Sequence, residues 1–300
     1  MQAVKLSVVI NTKNVEDTLK RTLESIKFAD EIVIVDMHST DKTVELARQF
    51  TKQIFQHEDL GYADPARNFA LSKASHDWIL VIDADEVVTD ELKKIILDTI
   101  AQAEAADVYW LPRKNMVFGH WIAKTGWWPD HQPRLFKKGT VSWQVGVHRL
   151  PDVRGKEIYF PEEEKFALLH FNYDDINHFI EKLNHYTTIQ AKERPQLKEF
   201  SSAELLERFA GEFAKRSLMM NGVEEGMHGV SLSLLQAMYE SAIYLKQWGN
   251  QGFKPTQPED LGEALQKVQQ VWRYWWADYQ VRNSRGLKRV YWQVRRKFKI

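Results

Sequence analysis

The first hundred residues alternate short β-branched, apolar runs with segments whose apolar side chains recur at helical spacing. Leu6–Ile10 predicts a strand, followed by the polar turn Asn11-Thr12-Lys13-Asn14. Val15–Ile26 predicts a helix that gathers Val15, Leu19, Leu23 and Ile26 on one face. Glu31–Val35 predicts a second strand ending at Asp36, and Lys42–Phe50 a helix with Asp41 at its N-cap. Lys52–Gln56 predicts a third, shorter strand, and Pro65–Lys73 a helix with Pro near its start. Trp78–Ile82 predicts a fourth strand that stops at Asp83. Strands that are apolar at nearly every position, separated by helices, imply a parallel sheet covered on both faces.

Between residues 104 and 173 the pattern changes. Strand-like pieces (Val108–Leu111, Arg134–Phe136, Ile158–Phe160 and Ala167–His170) are joined by loops rich in Trp, Pro, Gly and His, and such loops carry function more often than scaffold. From Asp174 onward the periodicity is helical: Ile176–Lys192, Ser201–Asn221, Ser231–Trp248, and Asp260 into the tail, with a breaker stretch at Gly249–Pro258. The expected architecture is an α/β domain with a doubly wound, mainly parallel sheet over residues 1–173 and a helical C-terminal extension over 174–300.

An apolar fraction of 44% suffices for a buried core and excludes a disordered chain. The absence of Cys excludes disulfides, thiol catalysis and Cys-ligated zinc. No apolar run reaches the roughly 18–20 residues that span a bilayer, and Lys5–Ile10 reads as a first strand rather than a signal peptide. The cytoplasm is therefore the expected location. Charge balances at 41 against 41, but residues 281–300 hold eight Lys/Arg and no acid, leaving 33 basic against 41 acidic side chains before them. A mildly acidic body argues against nucleic acid as a partner. Leu287, Val290, Tyr291, Val294 and Phe298 fall on one helical face amid the basic residues. Residues 285–300 are thus expected to touch an anionic membrane peripherally, at its inner face. The eleven Trp concentrate after residue 110, a bias that suits a sugar, a lipid or a bilayer surface.

Ligands of open parallel sheets bind beyond the carboxyl ends of the strands. Three such ends are polar or acidic here: Asn11-Thr12-Lys13-Asn14, Asp36, and Asp83-Ala84-Asp85-Glu86. Neither GxGxxG nor GxxxxGKS occupies the first turn, which argues against dinucleotide and P-loop enzymes. Asp83 and Asp85 can share a hard cation, Mn²⁺ or Mg²⁺, and such a cation clamps a diphosphate as a leaving group. A haloacid-dehalogenase-type phosphatase would need this strand near the N-terminus and a hydroxyl residue where Val87 stands.

Residues Leu6–Asn14, Ala29–Asp36, Ser39-Thr40-Asp41-Lys42-Thr43, Ala66–Ala70 and Trp78–Glu86 occur in an order that resembles the opening of family-2 GT-A glycosyltransferases. In detail they are similar to the branch containing lipopolysaccharide-core glucosyltransferases. The likeness is strong over residues 4–90 and continues through Trp127–Lys137 and His170–Tyr173. It implies a Rossmann-like GT-A fold and a metal-dependent, inverting transfer of a hexose from a nucleotide-sugar, typically a UDP-sugar, to a glycan or glycolipid acceptor in cell-envelope synthesis. Thr12 and Asn14 would line the nucleotide pocket, Asp36 would accept from the base, and Arg67 would close over the nucleotide. Asp83 would reach the ribose and the metal, Asp85 would ligate the metal, and His170 would be its third ligand, with His148 the alternative. An inverting transfer needs a base for the acceptor hydroxyl, and Asp130 is the expected one. Relatives carry Val-His-Glu where this chain has Val147-His148-Arg149, so one acid is missing. That departure supports a second reading, a catalytically degenerate GT-A module that binds a nucleotide-sugar or a membrane partner. Trp121, Trp127 and Trp128 are candidates for stacking on sugar faces.

Overall fold

The computed structural model describes residues 4–59, 64–144, 151–258 and 260–299. Strands β1 (Leu6–Thr12), β2 (Glu31–Asp36), β3 (Ile54–Gln56), β4 (Trp78–Asp83) and β5 (Glu86–Val87) interleave with helices α1 (Glu16–Ser25), α2 (Thr43–Ala47) and α3 (Asp64–Lys73). Helix α4 (Asp90–Ile100) follows, and then β6 (Val108–Leu111), β7 (Arg113–Val117), β8 (His120–Trp121) and β9 (Gln132–Lys137). Short strands β10 (Val141–Ser142), β11 (Asp152–Val153) and β12 (Glu157–Tyr159) lead to β13 (Leu168–Tyr173). Helices α5 (Ile176–Glu193), α6 (Ser202–Ala214), α7 (Gly226–Asn250), α8 (Gly262–Asn283) and α9 (Gly286–Phe298) complete the chain.

The central sheet runs β12-β6-β9-β4-β1-β2-β3. Strands β4, β1, β2 and β3 are parallel, and β9 lies antiparallel between β4 and β6. Alternation along the strands fills both faces. Val8, Ile10, Ile34, Leu80 and Ile82 pack against Leu19 and Leu23 of α1 and Leu92 and Ile96 of α4. Val9, Val33, Val35, Ile79 and Val81 pack on the opposite face against Ala66, Ala70 and Ala74 around α3. The small alanines let α3 approach the strands closely. Thr89 opens α4 by accepting the Leu92 N–H, an N-cap that the apolar pattern does not reveal. Asp41 accepts the N–H of Glu16 and of Thr43, so one carboxylate serves the starts of both α1 and α2.

The chain divides into two compact units, one of residues 1–116 and 128–172, the other of residues 117–127 and 173–300. Within the second, Val117 and Ile122 share a core with Phe179 and with Leu232 and Leu235 of α7. The tail expected as one continuous helix is broken: Ser284 and Arg285 are extended between α8 and α9. Helix α9 packs on α8, and Arg296 reaches back to Asp278 at 2.7 Å. Leu287, Val290, Tyr291, Val294 and Phe298 remain exposed, Leu287 at 89%. Among the described residues no helix is long and apolar enough to cross a membrane.

Glu31 ties the N-terminal ends of the parallel strands together. It accepts from the Ser7 hydroxyl at 2.5 Å, the Gln53 amide at 2.9 Å, and the Ser75 N–H and hydroxyl at 2.7 and 2.8 Å. Burial alone would raise its pKa, but the Ser7 and Ser75 bonds outweigh burial and bring it from 4.5 down to about 2. That difference corresponds to roughly 3 kcal/mol. Because the folded value is the lower one, the stabilisation is complete above pH 4.5 and disappears as pH falls towards 2. Glu31→Gln is expected to cost about 2 kcal/mol near neutral pH. Urea unfolding at a series of pH values should show the gap to wild type closing below pH 4.5.

Candidate active site

Every group of the candidate site belongs to the sheet unit. Strand β4 ends at Asp83, and the Asp83 N–H donates to Glu86 Oε2 at 2.9 Å, closing a four-residue turn. The Ala84 carbonyl accepts from the Thr22 hydroxyl of α1 at 2.8 Å, and the Asp85 carbonyl accepts from the Phe171 N–H of β13 at 2.9 Å. The turn is therefore held from two sides.

Arg134 of β9 is buried and donates to Asp83 Oδ2, and to Glu86 Oε1 at 2.6 Å. Arg67 of α3 donates from Nη2 to Asp83 Oδ1 at 2.7 Å. Its guanidinium carbon lies 5.4 Å from the centre of the Trp143 ring. Asn68 positions that ring by exchanging two hydrogen bonds with the Trp143 backbone, at 2.7 and 2.8 Å. Arg113 of β7 lies 3.6 Å from Glu86 and donates to Asp130 Oδ2 through Nε at 2.9 Å and Nη2 at 2.7 Å. Asp83, Glu86 and Asp130 thus alternate with Arg67, Arg134 and Arg113 in one row.

Burial would push the Asp83 carboxyl up, but Arg134, Arg67 and Arg113 hold it well below the usual carboxylate range. Burial likewise works against the Arg134 charge, yet Asp83 and Glu86 raise its pKa further. A buried charge that loses its partner is costly, whereas a complete network is tolerated.

The expected metal ligands divide. His170 on β13 and Asp85 face each other, Nε2 to Oδ1, at 3.5 Å, and His170 Nδ1 stands 2.6 Å from Asn115 Oδ1. Asp83 instead meets the two arginines. Among the described residues no three His, Asp or Glu side chains stand together as a ready metal cage. His148 and Arg149 lie outside the described residues. Asp130 accepts from Arg113, from Asn115 Nδ2 at 3.0 Å and from Gln132 Nε2 at 3.2 Å.

At the first two strand tips the expected nucleotide residues bind one another. Asp36 is buried and accepts from the Thr12 hydroxyl at 3.0 Å and from the Ser39 N–H and hydroxyl at 2.9 and 2.6 Å. Asn14, at φ 48°, accepts the Thr40 N–H at 2.8 Å and donates its own N–H to Ser39 Oγ at 2.9 Å. Asn11 stands beside Asp83 in the β1–β4 register, and its buried amide finds no hydrogen-bond partner among the described residues. Trp127 packs edge-on against Tyr173 in the helical unit. Sequence reasoning placed Asn11 and Glu86 at polar strand ends without giving either a role, and passed over Arg113, Asn115 and Arg134. For Arg134 the available signal was a charge inside an otherwise apolar strand, which must be paired when buried.

Charged and polar groups gathered at the carboxyl ends of a mainly parallel sheet define an α/β enzyme with its ligand site at the strand tips. The family model for glycosyl transferase family 2 matches residues 7–150. An uncharacterized glycosyltransferase of Rickettsia felis is 31% identical over 210 residues, covering 63% of this chain and 70% of the relative. LpsC of Rhizobium meliloti, a lipopolysaccharide core biosynthesis glycosyltransferase, is 28% identical over 196 residues, covering 63% of this chain and 71% of the relative. Staphylococcus aureus TarS 1–349 in complex with UDP aligns with a TM-score of 0.45 at 14% identity, covering 86% of this chain and 95% of that one. The chain belongs to the family 2 glycosyltransferases and is an enzyme of that class.

Removing Arg134 should leave the buried Glu86 and the half-buried Asp83 without their shared cation. Arg134→Met is expected to cost about 3–5 kcal/mol in urea unfolding. Arg134→Lys, which keeps the charge but not the fork, should recover part of that.

Proposed function

We propose that the chain transfers a hexose from a nucleotide-sugar, a UDP-sugar, to a glycan or glycolipid acceptor of the cell envelope with the aid of a divalent cation, and that the transfer inverts the anomeric centre. The observation that carries this reading is the pair Asp85 Oδ1 and His170 Nε2 facing each other at 3.5 Å at the tip of β4. Two acceptor atoms face to face repel unless a cation or proton lies between them. The donor set, one carboxylate oxygen and one imidazole nitrogen, fits Mn²⁺ or Mg²⁺, which take few protein ligands and complete their shell with phosphate oxygens and water. When bound, such an ion neutralises a diphosphate leaving group.

The chain's own residues supply the rest. Asp85 and His170 hold the cation, and Asp83, already paired with Arg134 and Arg67, orients the ribose. Arg67, exposed at its far side to the Trp143 ring, is placed to exchange its hold on Asp83 for a nucleotide phosphate. Thr12, Asn14 and Asp36 shape the base pocket, and the unsatisfied amide of Asn11 is a further group for a bound nucleotide to satisfy. Asp130 takes the proton of the acceptor hydroxyl through Oδ1, which among the described residues accepts only from Gln132 Nε2, at 3.2 Å. The site holds four carboxylates (Asp83, Asp85, Glu86, Asp130) against three guanidiniums, and a divalent cation reverses that sign in favour of a diphosphate.

The exposed apolar face of α9, flanked by Lys288, Arg289, Arg295, Arg296, Lys297 and Lys299, supports peripheral contact with the anionic inner face of the cell membrane. The chain then works from the cytoplasm on an acceptor held at that surface.

Asp85→Ala should lower Mn²⁺-dependent donor turnover by at least about 100-fold with an unchanged far-UV spectrum. Turnover equal to wild type would remove the metal role. Leu287→Glu with Phe298→Glu should release the protein from vesicles rich in phosphatidylglycerol, read by co-sedimentation. Retention of the double variant at low salt would point instead to charge alone.

A further inference from the structure

Asn115 is fully buried on β7 and joins two groups of the site through the two ends of one amide. Its Nδ2 donates to Asp130 Oδ2 at 3.0 Å, and its Oδ1 lies 2.6 Å from His170 Nδ1. Which end faces which partner follows from the network. Asp130 Oδ2 already accepts two N–H groups of Arg113, so it is an acceptor towards Asn115 and must receive the NH₂. The amide oxygen is then left for His170, and a hydrogen bond to it requires a proton on Nδ1. In the neutral imidazole Nε2 consequently bears the lone pair, and it is Nε2 that faces Asp85.

We infer that Asn115 is a positioning residue that fixes His170 in the Nδ1-protonated tautomer and so presents Nε2 as a ready cation ligand. This rests on the reading of Asp85 and His170 as the cation's protein ligands. The orientation is transmitted from Arg113 through Asp130 to Asn115 and on to His170, so a charge pair on one edge of the site decides which ring nitrogen serves at the other. Partners of this kind commonly set the tautomer and basicity of a ligating histidine, and their loss weakens metal affinity by about 10–100-fold. A packing role alone would fill the space beneath β13 without choosing a tautomer.

Long-range ¹H–¹⁵N correlation spectra of the full chain, ¹⁵N-labelled in histidine and free of metal at about pH 8, read the tautomer directly. The His170 signals are those lost in His170→Asn. Wild type should show His170 protonated at Nδ1, whereas Asn115→Leu should show Nε2 protonation or exchange between the two forms. Mn²⁺ affinity in the presence of UDP, measured by paramagnetic resonance, should fall about 10–100-fold in the same variant. Should Asn115→Leu not fold, Asp130→Asn removes the constraint on the amide and should give mixed tautomers. A wild-type His170 protonated at Nε2 overturns the inference. So does an Asn115→Leu protein that keeps both tautomer and Mn²⁺ affinity, or an Asp130→Asn protein that keeps a single tautomer. Equal Mn²⁺ affinity in wild type and His170→Ala sinks the underlying cation reading instead, and with it the ligand role of Nε2.

Discussion

Arg134 places one positive charge between two carboxylates inside the protein, and the turn after β4 depends on it. Asp83 and Glu86 sit at the two ends of a four-residue turn, where their like charges would otherwise repel and draw in water. The cation comes from β9, the antiparallel strand beside β4, whose register pairs Leu80 with Leu135. The next step of that ladder carries Arg134 towards the carboxyl end of β4.

From that centre the row extends in both directions. Arg67 binds the second oxygen of Asp83, and Arg113 lies beside Glu86 and grips Asp130. Each carboxylate in the row is matched, so the burial cost of any one charge is offset by its neighbours rather than by water. Such a row is stiff. Rigidity in the groups behind a site lets the groups in front of it hold a defined geometry. Asp85 and His170 stand in front, joined to the row through Asn115 and Asp130.

The parallel half of the sheet was legible because its strands are buried on both faces, which leaves uninterrupted apolar runs bounded by polar tips. The order of those tips also located Asp83 and Asp85 before any coordinates. Strand β7 was not legible, since Arg113-Lys114-Asn115 is polar and reads as loop. Its polar residues find their partners, Asp130, Glu164 and His170, on segments 15 to 55 residues further along the chain, and no local pattern encodes them. The same holds for α4, whose cap at Thr89 shows in the structure while its acidic first turn resembles a solvated segment. The tail failed differently. Periodicity continues across Ser284, so a helix that breaks in space does not break in hydrophobic spacing. Trp127, a candidate for a sugar face, is engaged by Tyr173 within the helical unit, where an aromatic side chain gains as much by packing.

The two aspartates of the acidic turn show why adjacency in sequence does not imply a shared environment. Asp83 is still a strand residue, so its direction is set by the pleat: it stands in register with Asn11, on the face that carries Val81 and Val9 and is covered by α3. An arginine on α3 and one on β9 are its natural neighbours. Ala84 turns to the opposite core, fixed there by Thr22. Asp85 has left the sheet, and its backbone is taken up by β13, which brings His170 rather than an arginine to its side chain. One carboxylate is therefore neutralised from within by fixed guanidiniums, while Oδ1 of the other stands 3.5 Å from Nε2 of the His170 imidazole. Charge already matched has little attraction left for an added cation. Of the two, Asp83 is thus the less suited to hold an added cation.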